Sequence, residues 1–198
     1  PSATGSVLLV DCGANVDCKP QFLCQFGIMG SIYMQTVMGV ENPRVALINN
    51  GAEEEKGDSL TKEAYQLLKK APINFVGNVE GRDILLGDYD VVVCDGFVGN
   101  VLMKFMEGCA KFLMGMLKKE LMSSFRTQMG ALLSKPAYKR LIKNLDYTEY
   151  GGALLLGTNA GVIKTHGSSD ANAIKNTVLQ AYRFTKSDVA GKIREKLS

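Results

Sequence analysis

The chain has 198 residues, of which 46% are hydrophobic, and it carries a formal net charge of +3. This length and apolar share favour a soluble globular protein with a proper core. No run approaches the ~18 consecutive apolar residues of a membrane span, and no charged-then-apolar leader is present. Because the sequence begins Pro1-Ser2-Ala3 without a Met, we expect a trimmed or partial chain.

Five cysteines and a single histidine, His166, bear on the redox state and on metal binding. Cys12, Cys18 and Cys24 recur at six-residue intervals, a spacing that does not match zinc sites. Burial as reduced thiols in a cytoplasmic protein is the simpler interpretation. We therefore expect no metal site.

Strand and helix patterns alternate over the first half of the chain. The predicted strands span residues 6–10, 44–48, 73–77 and 90–94. Helices are predicted from Pro20 to Gly39 and from about Asp58, with apolar residues at three- and four-residue spacing. Strands that are apolar throughout and alternate with helices favour an α/β fold, in which helices cover both faces of a mostly parallel sheet.

Longer helical patterns replace this alternation from about Gly99 to Leu145, with a new segment expected after Pro136. We interpret residues 1–198 as one α/β domain and residues 101–145 as a protruding helical hairpin insertion. A strand over 161–166 and one helix from 170 to 198 complete the prediction. The face of this last helix that we expect to point inward carries Ala173, Ile174, Val178, Ala181 and Tyr182.

Positive charge is concentrated between Lys111 and Lys143. This segment holds eight Lys or Arg against one acid, Glu120, a net charge of +7 that leaves −4 for the rest of the chain. A basic amphipathic segment rich in Met, Leu and Phe is typical of an element that lies on a membrane or docks an acidic partner. The solvated face of an ordinary helical hairpin explains the same pattern, so both interpretations stay open.

Ligands of open α/β sheets bind at the carboxyl ends of the strands. At these ends the sequence places Asp11, Asn15, Asn49, Asn50, Gly51, Gly77, Asn78, Asp95, Gly96, Gly99 and Asn100. Nearly all of them are small or polar. Tight strand-to-helix turns favour the same residue types, so this pattern alone does not establish a site.

The segment VVVCDGFVGNV, residues 91–101, is the most specific of these ends. Asp95 would cap the following helix, while Gly96 and Gly99 allow the backbone to approach a ligand. A helix that begins near Gly99 would direct unpaired N–H groups and its positive end toward an anion such as phosphate. The segment matches neither a P-loop nor a dinucleotide fingerprint, so phosphate or acyl-phosphate in another cradle remains open.

Two further polar loops add candidates. The segment GNVEGRDIL, residues 77–85, places Asn78 and Arg82 within one turn, and a guanidinium group binds phosphate with two parallel donors. The glycine-rich segment after the helices brings Lys164 and His166 to the end of the last strand. A lone histidine there is as compatible with a structural hydrogen bond as with catalysis.

Five segments together resemble the carboxy-terminal part of the PlsX-type phosphate acyltransferases of bacterial phospholipid synthesis. They are VDCGANVDCKP, NPRVALINNGAEEEKGD, APINFVGNVEGRDIL, DVVVCDGFVGNVLMK and LDYTEYGGALLLGTNAGVIKTHGSSDANAIKN, in this order from about residue 7 to residue 182. The resemblance implies a fold similar to that of phosphotransacetylases and of the isocitrate and isopropylmalate dehydrogenases. It also implies a homodimer and a further amino-terminal segment that contributes to the cleft.

The resemblance implies a reaction as well. Fatty acyl-acyl carrier protein and inorganic phosphate would give acyl-phosphate and free carrier protein, without a metal or an organic cofactor. The product would supply a downstream glycerol-phosphate acyltransferase of the membrane, to which the cytoplasmic protein would attach peripherally. We expect no nucleic-acid partner. A non-catalytic fragment that binds the membrane surface or the carrier protein is the alternative, whereas a dehydrogenase would need a three-carboxylate metal site that we do not find.

The positions of these residues in the predicted loops suggest their roles. We expect Asp95, Asn100 and His166 to be catalytic, with Asp95 or His166 orienting phosphate or protonating the leaving thiolate. The residues expected to bind substrate or phosphate are Asn50, Gly51, Asn78, Arg82, Gly96, Gly99 and Lys164. The residues expected to contact the membrane or the carrier protein are Lys118, Lys119, Phe125, Arg126, Met129, Leu132 and Leu133.

Overall fold

The computed structural model describes residues 2, 3, 5–87, 89–145, 151–165, 167 and 169–197, without the side chains of 143–145. Within these ranges the chain forms six strands and six helices. In order they are β1 (Leu8–Val10), α1 (Pro20–Thr36), β2 (Arg44–Asn49), α2 (Ser59–Lys70), β3 (Asn74–Glu80), β4 (Val91–Val93), α3 (Gly96–Leu121), α4 (Phe125–Leu145), β5 (Ala153–Leu155), β6 (Val162–Lys164), α5 (Ala171–Lys186) and α6 (Val189–Leu197).

Four strands form a parallel sheet in the order β1-β4-β2-β3. The central strand β4 pairs with β1 on one side and with β2 on the other, so that Val91 lies between Leu8 and Val45. Val91, Val92 and Val93 are completely buried, as expected for a strand covered on both faces. The predicted α/β fold is therefore confirmed.

The larger core lies on the face of the sheet that α1, α2 and α6 cover. Leu23, Leu47, Leu68 and Val189 are among its fully buried side chains. The opposite face has a smaller cluster around Ala46, Val79, Ile84 and Val92. The carboxy-terminal helix α6 therefore completes the main core, because it packs against α1.

The strand β3 is longer than the sequence pattern predicted. It continues to Glu80, whereas the predicted strand ends at Gly77, so the prediction of a polar loop is wrong for residues 78–80. A register shift beside Val45 and Ala46 accommodates the irregular pairing with β2. Asn78 thereby lies inside the sheet, where it is buried.

The helix α3 begins three residues earlier than predicted, at Gly96 rather than near Gly99. Asp95 is its cap, as its carboxylate accepts a hydrogen bond from the N–H of Val98 at 2.8 Å. The helix α4 runs through Pro136, so the predicted break there is wrong. Although a proline removes one helical hydrogen bond, its fixed φ is compatible with helical backbone.

The predicted apolar stripe of α3 and α4 is largely exposed. The exposed apolar side chains of the two helices are Phe97, Val101, Met103, Phe105, Phe112, Leu113, Met116, Phe125, Met129, Leu132, Leu133, Leu141 and Ile142. A helical stripe of this kind normally packs against another surface. Among the helices that the structure describes, none combines the length and the apolar character needed to cross a membrane.

The carboxy-terminal segment contains two helices, so the prediction of one helix is wrong. The chain turns at Asp188, where φ is 48°, and α6 then buries Val189 and Ile193. The predicted inward face is also mostly wrong: Ala173 is buried, Ala181 is half-buried, and Ile174, Val178 and Tyr182 are exposed. Phe184 fills the buried position instead.

The strands β5 and β6 form a separate antiparallel pair. Only β6 was predicted. The backbone N–H of Gly152 donates to the side-chain oxygen of Gln180 at 3.0 Å, which ties this hairpin to α5. Leu154 and Leu156 pack against the main core, so the hairpin covers part of that core without extending the parallel sheet.

The first turn of α3 packs directly on the loop that follows β1. A β-carbon on Gly99 would collide with the backbone carbonyl oxygen of Asp11, and one on Gly96 would lie 2.6 Å from the carbonyl oxygen of Asn15. Both neighbours are backbone atoms of another element, so a larger residue cannot be accommodated by a side-chain rotation. These two glycines set the position of α3 on the sheet.

We predict that Gly99→Ala lowers the free energy of unfolding by about 1–3 kcal/mol, the usual cost of overpacking. The matched control is Gly108→Ala in the same helix, where the added methyl group meets open space. This control should raise stability by about 0.5–1 kcal/mol, because alanine favours a helix over glycine. Urea unfolding of both variants measures the contrast, and equal effects at the two positions would contradict the packing described.

Candidate active site at the carboxyl edge of the sheet

The carboxylate of Asp11 organises the loop between β1 and α1. Its Oδ1 accepts hydrogen bonds from the backbone N–H groups of Gly13 and Ala14 at 2.8 and 2.9 Å. Its Oδ2 accepts from the backbone N–H of Asn15 at 2.7 Å and from the side-chain amide of Asn15 at 2.9 Å. Asp11 is buried, and the peptide bond that precedes it is cis. The carboxylate therefore has four donors around it.

This loop contacts the start of α3 at several points. The carbonyl oxygen of Asn15 accepts the N–H of Gly96 at 2.7 Å. The Sγ of Cys94 donates to the carbonyl oxygen of Asp11 at 3.3 Å. The side chain of Asn100 lies over Gly13, within 3.7 Å of the place where a β-carbon on that glycine would stand. The ends of β1 and β4 thus form one polar corner.

Three amides at the start of α3 have hydrogen-bond partners within the chain. The N–H groups of Gly96, Val98 and Gly99 bond respectively to the carbonyl of Asn15, the carboxylate of Asp95 and the carbonyl of Asp95. Amides that are already paired within the chain are poor donors for an anion. An anion at this corner would meet side-chain donors such as the amide of Asn100 as well, and the assignment of Gly96 and Gly99 to phosphate stays a prediction.

The loop between β2 and α2 reaches the same edge of the sheet. The side-chain amide of Asn49 donates to the carbonyl of Lys56 at 3.1 Å, and the N–H of Asn50 donates to Oδ1 of Asn49 at 2.9 Å. Gly51 is buried, and the aliphatic stem of Lys56 passes over it. These contacts hold the loop closed and leave Asn50 exposed.

Asn78 ties this loop to β3. Its Nδ2 donates to the carbonyl oxygen of Glu53 at 2.7 Å. Its Oδ1 is buried and has no hydrogen-bond partner among the residues described. Asn78 was expected to bind substrate or phosphate, and that role stays a prediction; the observed bond is to the β2–α2 loop.

Arg82 lies on the surface next to two acids. Its guanidinium bonds to Glu80 at 2.7 Å and approaches Asp83 at 3.6 Å. Exposed pairs of this kind are worth about 0–1 kcal/mol, so Glu80 would release Arg82 at little cost if phosphate competed for it. Its assignment to phosphate stays a prediction.

Lys164 and His166 are predicted site residues from the last strand and the segment that follows it. Lys164 ends β6 and is exposed, and the hairpin that carries it contacts α5. His166 and the neighbouring Ser168 lie outside the residues that the structure describes. Their expected place in the site therefore stays a prediction.

The cysteines near this corner are poor nucleophiles. Burial, with the charge of Asp11 close by, raises the pKa of the Cys12 thiol to about 11. Burial also raises the pKa of Cys94, with further contributions from Cys12 and Asp95. Cys18 and Cys24 have pKa values raised chiefly by burial. Because the thiolate is the reactive form, these four side chains stay protonated at neutral pH.

In the described ranges no three His, Cys, Asp or Glu side chains come close enough to hold a metal ion.

The proposed membrane or carrier contacts are grouped around the turn between α3 and α4, where all of them are exposed. They are Lys118, Lys119, Phe125, Arg126, Met129, Leu132 and Leu133.

The sequence pattern places Asp11 and Asn15 at a strand end, but neither belongs to the predicted site. A signal was present, because Asp11-Cys12-Gly13 after β1 resembles Asp95-Gly96 after β4: in both cases an aspartate follows the end of a strand, and a glycine lies one or two residues later. What the pattern could not give is that the carboxylate of Asp11 is enclosed by its own loop.

Asp11 should make stability depend on pH. Burial raises its pKa, but bonds from Ala14, Asn15 and Gly13 outweigh burial and hold the pKa below the ordinary 3.8. A depressed pKa contributes stability that is present above the unfolded-state pKa and is lost as the pH falls through the folded-state pKa. We expect Asp11→Asn to cost about 1.5–3 kcal/mol at pH 7, with a difference from the unsubstituted protein that shrinks below about pH 4.

Urea unfolding between pH 7 and pH 3 measures this dependence. Asp17→Asn is the matched control, because Asp17 is an exposed aspartate of the same loop. A difference between Asp11→Asn and the unsubstituted protein that stays constant over this range would show that the bonds to the ionised carboxylate do not stabilise the fold.

Comparison of the sequence with known proteins identifies its family. The sequence model of the fatty acid synthesis protein family matches residues 1–192. The chain is 52% identical over 197 residues to a protein of Clostridium novyi (strain NT) named phosphate acyltransferase, covering all of this chain and 59% of that relative. A protein of the same name from Alkaliphilus oremlandii (strain OhILAs) is 54% identical over 198 residues, again with 59% of its length covered.

A third relative, a phosphate acyltransferase of Campylobacter jejuni subsp. jejuni serotype O:23/36 (strain 81-176), is 51% identical over 197 residues, with 60% of its length covered. The chain thus spans less than two thirds of the length of the curated relatives it matches. A match over nearly the whole chain, at about half identity, is sufficient to assign the family: the chain belongs to the fatty acid synthesis protein family.

Proposed function

We propose that this chain forms part of an acyltransferase that moves a fatty acyl group from acyl carrier protein to inorganic phosphate in phospholipid biosynthesis. Membership of the fatty acid synthesis protein family and the phosphate acyltransferase names of its relatives support a phosphate acyltransferase. The structural observation behind the proposal is the polar corner where the loop after β1 meets the first turn of α3.

The chemistry requires one displacement at a thioester. An oxygen of hydrogen phosphate attacks the carbonyl carbon, the bond between this carbon and sulfur breaks, and the carrier thiolate takes the proton of the hydrogen phosphate. The products are acyl-phosphate and free carrier thiol. The protein must hold the anion near the carbonyl and stabilise the charge that develops on the carbonyl oxygen.

The described residues suit direct attack by phosphate. The raised pKa values of Cys12 and Cys94 argue against a covalent acyl-cysteine intermediate. In the proposal the side-chain amide of Asn100 provides a donor at the corner, while Asp95 fixes the start of α3. The other proposed contacts are Asn50, Gly51, Asn78, Arg82, Gly96, Gly99, Lys164 and His166.

The proposal predicts that full-length protein releases carrier thiol from palmitoyl-acyl carrier protein only when phosphate is present. Asn100→Ala should lower kcat by about 100- to 1000-fold, the usual cost of removing one donor from a developing oxyanion. Asn159→Ala, an exposed asparagine of the β5–β6 turn, is the matched control and should keep full activity.

Thiol release can be followed with a thiol reagent, and acyl-phosphate by its reaction with hydroxylamine. Release that does not depend on phosphate would indicate a hydrolase and contradict the proposal. Binding of the acylated carrier without any turnover would support the non-catalytic alternative, in which the chain serves only as a membrane-surface or carrier-protein binding module.

The turn between α3 and α4 is the proposed contact with a membrane. It combines exposed apolar side chains, among them Phe125, Leu132 and Leu133, with the cations Lys118 and Arg126. Apolar side chains inserted at the headgroup level and cations near anionic lipid both favour such attachment. The downstream acyltransferase that would use glycerol phosphate lies in the membrane, so attachment would bring acyl-phosphate close to it.

We predict that Leu132→Glu strongly reduces flotation of the full-length protein with vesicles that contain phosphatidylglycerol. The introduced carboxylate is costly to bury among lipid tails and is repelled by anionic headgroups. Ser134→Glu, an exposed position of the same helix with a similar change of charge, is the matched control. Undiminished flotation of Leu132→Glu with weaker carrier-protein binding would show that this surface binds the carrier protein and not the membrane. A change of oligomeric state alone would show that this surface forms the contact of the proposed homodimer.

A further inference from the structure

We propose that Asp11 is a positioning residue of the acyltransferase site: its carboxylate shapes the loop that holds the first turn of α3, and with it Asn100, in place. The inference rests on the proposed function for its catalytic consequence. It assigns a task to a residue that lies outside the set expected from the sequence.

The backbone at Asp11 has a fixed position. The parallel pairing of β1 with β4 continues past the strands, as the N–H of Asp11 donates to the carbonyl of Cys94 at 3.0 Å and the N–H of Cys94 donates to the carbonyl of Val10 at 2.8 Å. Cys94 also donates its thiol to the carbonyl of Asp11. The backbone at Asp11 is therefore tied to the end of β4, one residue before the cap of α3.

The carboxylate of Asp11 determines the shape of the loop that follows it. Four N–H groups, three from the backbone and one from the side chain of Asn15, converge on the two oxygens of Asp11. Gly13 has a φ of +126°, which an L-residue with a side chain rarely adopts. Successive amides turned toward one centre form an anion-binding concavity. Here the chain's own carboxylate fills it.

The loop contacts α3 through Gly13 and Asn15. The carbonyl of Asn15 points at Gly96 and accepts its N–H, and the side chain of Asn100 rests on Gly13. Gly13 and Asn15 both depend on Asp11 for their orientation. If the carboxylate no longer collected their amides, the acceptor for Gly96 and the support for Asn100 would move together.

The structure also separates Asp11 from a catalytic residue. Asp11 is buried and its two oxygens already accept four hydrogen bonds. It therefore has little capacity left to hold a substrate. Its influence on the reaction must pass through Asn15, Gly96 and Asn100.

The test uses the full-length protein with Asp11→Asn, which keeps the size of the side chain but replaces one acceptor by a donor that faces the N–H of Asn15. A displacement of reacting groups by about 1 Å can cost about 100-fold in rate. We expect a loss of kcat of this order with a KM for phosphate close to the original value. Asp17→Asn, in the same loop, should leave both constants unchanged.

A second readout separates positioning from general destabilisation. In protein labelled with nitrogen-15 glycine and asparagine, Asp11→Asn should shift the amide signals of Gly13, Gly96 and Asn100 and leave that of Gly108 in place. Normal signals at Gly96 and Asn100 with a kcat within two-fold of the original, a bound set by ordinary assay scatter, would overturn the proposal. If Asp11→Asn does not fold, Asn15→Ala removes one of the four donors and should produce the same changes at smaller size; unchanged kcat and Gly96 signal there would overturn it as well.

The two arms also keep this proposal distinct from the proposed function. If the unsubstituted protein shows no phosphate-dependent release of carrier, the proposed function fails. The amide signals then still report whether Asp11 sets the position of α3: shifted signals support that part of the inference, and unshifted signals overturn it.

Discussion

Helix α3 begins against the end of β1 with no space for a side chain between the two backbones. Gly99 lies on the carbonyl of Asp11, and the N–H of Gly96 bonds to the carbonyl of Asn15. Since β1 and β4 are neighbours in a parallel sheet, the loop after β1 and the helix after β4 leave the sheet side by side and must pack against each other. Two glycines make this possible, and the position of Asn100 follows from it.

The parts of the fold that the sequence predicted are those in which local chemistry and burial agree. The run Val91–Val93 is apolar throughout because β4 lies between two strands and is completely buried on both faces. The helix α2 has its amino-terminal cap at Asp58, where an acid precedes an amphipathic pattern. In such segments the residue type and its neighbours along the chain are enough to predict the secondary structure.

The parts that the sequence did not predict depend on distant contacts. The extension of β3 through Asn78 is stabilised by the carbonyl of Glu53, which belongs to another loop. The break at Asp188 allows α6 to return to the core. At the site, Asp95 was recognised because its capping bond is local, whereas the role of Asp11 depends on contacts between its loop and α3. The local sequence pattern thus predicts the polar carboxyl edge of the sheet, but not the hydrogen bonds that hold its loops against α3.

The hairpin of α3 and α4 changes in character along its length, and this bears on its partners. Residues 101–110, near the sheet, carry one Lys and one Glu among apolar side chains, whereas the segment from 111 to 143 has a net charge of +7. A neutral apolar face suits a protein surface, because burial there desolvates few charges. A basic apolar face suits an anionic surface, because its cations stay near water while its apolar side chains are buried. A homodimer contact on residues 101–110 and a membrane contact on the turn between α3 and α4 would therefore not compete, since each matches a different part of the hairpin.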